Sequence, residues 1–166
     1  MEVHLPNPYL NHHGRSYGYG NCSHVMTMKE YYYSQHFTNR EMCRTSTGLD
    51  NQPSPIIEDN LIYLVQKVLE PARLKLGEPI RITSGYRSPE VNAAVGGVHN
   101  SFHKYGLAAD IHIPSTTYLN RLLKILRQNE YVDKCIIEHS RSGARWLHIQ
   151  TTRQKPRRLF FKLETD

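Results

Sequence analysis

"GGVHNSFHKYGLAADIHI", residues 96–113, packs three histidines, one aspartate and three glycines into a single run. Its two halves obey different rules. The first is rich in glycine, asparagine and serine, the residues of turns and loops. The second, "LAADIHI", has the apolar character of a strand with a buried face. Gly106 stands between them and breaks any single helix, so His103 and Asp110 cannot be neighbours on a helical face. A loop that turns into a strand can still bring them together. An imidazole nitrogen and a carboxylate oxygen are good ligands for Zn²⁺, which in catalytic sites usually takes three protein ligands.

The flanking segments supply a fold for this run. Upstream, the apolar positions of "PIRITS" (79–84) alternate as in a strand, and Ser88-Pro89-Glu90 starts a short helix that Gly96 and Gly97 must stop. Before that, Ser54 and Pro55 open the main core helix, with Ile57, Leu61, Leu64, Val65 and Val68 at steps of three and four. Pro71 is expected to kink or interrupt this helix and Gly77 to end it. In "HFTNREM" (36–42), Thr38 and Glu41 have the spacing of a capping box. Downstream, Leu119, Leu122, Leu123 and Leu126 mark a second amphipathic helix. The end reads as β-structure: "DKCIIEH", a turn "SRSGA", "RWLHIQ" and "RRLFFKL", the first two forming an antiparallel hairpin. The sum is an α+β domain, a small and mostly antiparallel sheet with helices packed on it.

A third ligand must come from elsewhere, and "RWLHIQ" offers one. Trp146, His148 and Gln150 share one strand face and Leu147 and Ile149 the other, so His148 points away from the buried side. In the hairpin, paired residue numbers sum to about 285, which places Glu138 within a position or so of His148. A carboxylate beside a metal site is what a hydrolytic general base requires.

Taken together, "ITSGYRSPEVNAAVGG", "NSFHKYGLAADI" and "CIIEH…RWLHIQ" resemble the zinc D-Ala-D-Ala carboxypeptidase family, which includes cell-wall carboxypeptidases, dipeptidases and many phage endolysins. The pattern Ser-x-His-x-x-Gly-x-Ala-x-Asp is present in Ser101 to Asp110, and the resemblance spans about residues 36–150. That family shares its zinc fold with lysostaphin-type peptidases and the hedgehog signalling domain. The resemblance implies one Zn²⁺ held by His103, Asp110 and His148, with Glu138 as general base. It implies that Arg87 holds a substrate carboxylate or polarises the scissile carbonyl, against the alternative of a structural salt bridge, and that Ser101 hydrogen-bonds substrate. Two positions depart from better-known branches: Arg145 stands where dipeptidases have their glutamate, and Trp146 where carboxypeptidases have a histidine. The base therefore rests on Glu138.

The implied activity is zinc-dependent hydrolysis of an amide bond in peptidoglycan stem peptides, of carboxypeptidase or endopeptidase type, by a wall-lytic enzyme. The alternative is a zinc-containing binding module of the same fold without turnover. At 166 residues the chain fits one domain, residues 29–166, preceded by a flexible His- and Tyr-rich arm, residues 1–28. A net charge of +6 and a pI near 9.3 favour polyanionic surroundings such as an acidic wall polymer. No helix-turn-helix, zinc-finger or RNA-binding pattern accompanies the charge, so no nucleic-acid partner is expected. The cluster "RQKPRR" (153–158) reads as a solvated turn. The tyrosines of "YYYSQHF" (31–37) read as a packing edge. Cys22, Cys43 and Cys135 form no Cys-x-x-Cys pair, which argues against a disulfide framework. No signal peptide or membrane-spanning run is visible. The expected life history is synthesis in the cytoplasm, then action on the wall as a monomer after release, by phage lysis or from a virion, or after export by an unrecognised route.

Overall fold

The computed structural model describes residues 29–140 and 143–162; the expected N-terminal arm lies outside them. The first helix, α1 (Asn39–Met42), is capped by Thr38, whose hydroxyl accepts from the Glu41 N–H at 3.2 Å. The reciprocal half of the capping box does not form. Glu41 turns instead to the backbone N–H of Ile82, 3.2 Å away, and so ties α1 to the sheet. Tyr33 and Phe37 are buried in the core, while Tyr32 is exposed.

The main helix runs as α2 (Pro55–Leu64), a π-helical stretch Val65–Leu69, and α3 (Glu70–Leu76), ended by Gly77 at φ 72°. Pro71 neither breaks nor ends it. Proline has no N–H for the carbonyl of Lys67, so an α-helical bond is lost there. The backbone widens into the π-helical stretch, and the Asn129 side-chain amide donates to the Lys67 carbonyl at 2.9 Å. Next come β1 (Ile82–Ser84), α4 (Pro89–Ala94), a 3₁₀ turn (Phe102–Tyr105), β2 (Ala108–His112) and α5 (Thr116–Arg127). Ser88 and Ser115 cap α4 and α5 through their hydroxyls, as the sequence predicts for Ser88. The chain closes with β3 (Val132–His139), β4 (Arg145–Thr151) and β5 (Leu159–Lys162).

The five strands lie in the order β1-β2-β4-β3-β5. The sheet is mixed: β1–β2, β2–β4 and β3–β4 are antiparallel, and β3–β5 is parallel. The parallel pair follows from where β4 ends. Thr151 lies beside Val132 at the start of β3, so the chain only has to cross that end of β3 to run alongside it in the same direction. One face of the sheet, carrying Ile82, Ile111, Leu147 and Ile149, packs on Leu61, Leu64 and Val68 of the long helix and on Leu119, Leu122 and Leu126 of α5. All are essentially buried, and each large aliphatic side chain contributes about 1.5–3 kcal/mol. The opposite face is left for polar side chains.

The basic cluster 153–158 is not merely solvated. Arg153 stacks on the Tyr63 ring, 4.1 Å from its centroid, and bonds Asp59 and Asn60. Arg157 pairs with Asp133, and Arg158 bonds the backbone carbonyls of Arg127, at the end of α5, and Val132, at the start of β3. Among the described residues no helix is long and apolar enough to cross a membrane.

Candidate metal centre

Strand register brings two of the three expected ligands together. Asp110 in β2 lies directly opposite His148 in β4, on the sheet face turned away from the helices. His103 arrives from the 3₁₀ turn, which Gly106 ends at φ 68°. A Cβ at Gly106 would also stand 2.6 Å from the Ile57 carbonyl oxygen of α2, so glycine lets the turn seat against the main helix.

Asp110 Oδ1, His148 Nδ1 and His103 Nε2 form a triangle with edges of 2.9, 3.2 and 3.2 Å. A tetrahedral zinc ion with bonds of about 2.0–2.1 Å spaces its ligand atoms by about 3.3 Å. The triangle therefore fits the ion. The proton pattern of His103 fits as well. Its Nδ1 is 2.6 Å from the Gly85 carbonyl, which can only accept, so Nδ1 carries the proton and Nε2 keeps its lone pair for the triangle. Asp110 is buried, which by itself raises a carboxyl pKa; its contacts with His103 and His148 outweigh burial and hold it well below the usual carboxylate range. Among the described residues this is the group of His, Cys, Asp or Glu side chains whose ligand atoms converge closely enough to hold a metal. His99 and His112, the other histidines of the run at 96–113, are exposed and stand outside it.

Arg87 lies on the far side of Asp110. Its Nη2 is 2.6 Å from Asp110 Oδ2, and its Nε donates to Ser84 Oγ at 2.8 Å. The two carboxylate oxygens are thus divided, Oδ1 to the triangle and Oδ2 to Arg87. Arg87 thus forms the salt bridge that stood as the alternative to a substrate contact, and its guanidinium also lines the cleft.

A cleft of about 620 Å³ opens over the triangle, with strands β3 and β4 as its floor and the segment around Val95–Val98 and Ser101–His103 as a wall. Ser101 is buried at that wall, beside His103. Glu138 lines the same cleft, but not in the register expected. It faces Trp146, while His148 faces Ile136. Glu138 is therefore two positions from His148, diagonal to it and on the same face. A pairing one residue longer would have turned Glu138 opposite Leu147, toward the helices.

Sequence reasoning missed three contributors. The Gly85 carbonyl carries no side-chain signal. Lys134 was open to the period-two argument used for Trp146, His148 and Gln150, since it lies on one face of β3 with Glu138. Arg157 reaches the cleft only because β5 runs parallel to β3, a long-range pairing.

Comparison with known proteins agrees with this geometry. A search of curated proteins returned no match to the chain. A family model described as Peptidase M15 matches residues 33–150, a stretch that contains His103, Asp110 and His148 together with Arg87, Ser101 and Glu138. M15 peptidases are zinc enzymes, and the chain belongs to this metallopeptidase family.

Proposed function

We propose that the protein is a zinc-dependent peptidoglycan peptidase that hydrolyses an amide bond in the stem peptide, at a D-Ala-D-Ala end or at an internal or cross-bridge bond. The observation that carries this reading is the placement, in one open cleft, of a zinc-sized His-Asp-His triangle and the Glu138 carboxylate, which forms no ion pair among the described residues. His103, Asp110 and His148 would hold one ion through Nε2, Oδ1 and Nδ1. When bound there, zinc supplies a Lewis acid for the scissile carbonyl and makes a water nucleophile available near neutral pH.

The chain's own residues do the rest. Glu138 takes the proton of the attacking water and passes it to the leaving amine. Arg87 fixes Asp110 through Oδ2 and places positive charge at the cleft, where negative charge develops on the carbonyl oxygen. Ser101 offers a hydroxyl to the substrate backbone. The net charge of +6 favours residence near an anionic wall.

The test is digestion of purified peptidoglycan of several wall types, with muropeptides read by mass spectrometry, for wild type and Glu138→Ala, with and without a chelator. Zinc-dependent release of new amines is expected, lowered about 100-fold or more in the variant. If no wall type yields zinc-dependent release, a non-catalytic zinc-containing module is the better reading. If the variant cuts as well as wild type, Glu138 is not the base.

A further inference from the structure

Most charged side chains that line the cleft are neutralised within the fold. Arg87 is held by Asp110. Arg157 is held by Asp133, with Nη2 at 2.6 Å and Nε at 3.1 and 3.2 Å from its carboxylate oxygens. Lys134 and Glu138 are different: among the described residues neither forms an ion pair, and both are half-buried on the cleft floor. They lie on one face of β3, two residues before and two residues after Ile136, which is directly opposite His148. Along β3 the position opposite His148 thus lies between a cation and an anion that form no ion pair among the described residues, each about 7 Å from it along the strand.

We propose that Lys134 is a specificity-determining residue: it binds a carboxylate on the acyl half of the peptide, about two residues before the scissile bond. This rests on Glu138 as the proton carrier of the peptidase reaction. Glu138 must reach the leaving amine, so the leaving half of the substrate lies toward its end of the cleft. The acyl half then runs over Lys134. An extended peptide advances about 3.3–3.6 Å per residue, so 7 Å corresponds to about two residues. An ammonium on a cleft floor without a counter-charge is a vacant place for an anion, and a carboxylate that arrives with substrate fills it. Arg157, its charge balanced by Asp133, lines the cleft at the same end. It comes from the segment before β5, beyond the stretch matched by the family. In a stem peptide the carboxylate has two sources, the α-carboxylate of a γ-linked D-glutamate or the side-chain carboxylate of a diaminopimelate.

The experiment uses the zinc-loaded protein and synthetic L-Ala-γ-D-Glu-X-D-Ala-D-Ala peptides. X is diaminopimelate or lysine, the D-glutamate α-carboxyl is free or amidated, and a control series is amidated at the C-terminus. In wild type, loss of one internal carboxylate should lower kcat/KM about tenfold, mainly through KM. The arm that shows the loss identifies the source. In Lys134→Gln that penalty should fall below about twofold, and in Lys134→Arg most of it should return, whereas a merely structural role would lower all substrates alike. The penalty for C-terminal amidation should be the same in wild type and both variants. The proposal is overturned if wild type ignores both internal carboxylates, if the penalty survives in Lys134→Gln, or if only the C-terminal carboxylate loses its effect there. Wild type that turns over none of these peptides with zinc overturns the proposal, and if whole peptidoglycan also yields no zinc-dependent release, the stem-peptide reading falls with it. Turnover without dependence on an internal carboxylate overturns the Lys134 proposal alone.

Discussion

His103 donates its Nδ1 proton to the carbonyl of Gly85 across 2.6 Å, so a backbone atom sets the tautomer of a cleft-facing imidazole. That carbonyl cannot be deleted, but it can be moved. A Cβ at position 85 would stand 2.2 Å from the Met42 carbonyl oxygen, which is itself engaged by the Tyr86 N–H at 2.7 Å and cannot withdraw freely. Gly85→Ala should therefore push the 85–87 segment off its seat. The expected result is a zinc affinity lowered about 10–100-fold, the cost typical of losing a partner behind a metal ligand, together with a lower melting temperature. Competition against a zinc-binding dye checks it. Unchanged affinity would mean that Gly85 does not orient His103.

How far the sequence carried this site depends on the range of the contacts involved. The face of His148 was readable because strand alternation fixes which side a side chain takes, whereas Asp110 lies in a nearly continuous apolar run and was readable only as part of a strand. The position of Glu138 relative to His148 was readable only to within a residue, since the length of the β3–β4 connection alone does not dictate the register. The meeting of His103 with the strands needed the family resemblance, because a 3₁₀ turn seated on α2 is a tertiary arrangement. Rescue of the Lys67 carbonyl by Asn129, and the grip of Arg87 on Asp110, depend on partners far away in the chain. Periodicity cannot show them.

Cys43 and Cys135 are buried, and burial pushes both thiols up to about 12. Thiolate is the reactive form, so neither should react at neutral pH in the folded protein. Alkylation with iodoacetamide at pH 7.5, mapped by mass spectrometry, should leave both unmodified in the native state and modify both in urea. Rapid native labelling of either would show that the core opens at that position.

Arg158 adopts φ 63°, a conformation that costs a non-glycine residue about 1 kcal/mol. It is held there by its guanidinium, which donates to the Arg127 carbonyl at 2.5 Å, to the Val132 carbonyl at 3.1 Å and to that of Asn129. These carbonyls lie at and just beyond the end of α5, where helical partners run out. Arg158→Gly relieves the backbone and loses the contacts, for a net loss of about 1 kcal/mol; Arg158→Ala keeps the strain as well and should lose about 2 kcal/mol. Urea unfolding of the two variants separates the terms. A glycine variant as stable as wild type would mean that the contacts only balance the strain.

Asp133 gives stability a pH dependence with a definite sign. Burial alone would raise its carboxyl, but the Arg157 guanidinium, the Arg157 backbone N–H at 2.7 Å and the Gln150 amide at 2.7 Å outweigh it and lower the pKa. In the unfolded chain the group returns to about 3.9, so the unfolded state takes up the proton first as pH falls. The contribution of Asp133 is thus fully present above about pH 4 and is lost as pH falls through the lower folded value. Asp133→Asn keeps the shape and removes the charge that pairs with Arg157. It should be about 2 kcal/mol less stable than wild type at pH 7, and the gap should narrow as pH falls below about 4. Urea unfolding of both proteins at several pH values reads the gap directly, because every other carboxylate is common to the pair. A gap that stays constant down to pH 2 would show that Asp133 stabilises the fold through packing and not through its charge.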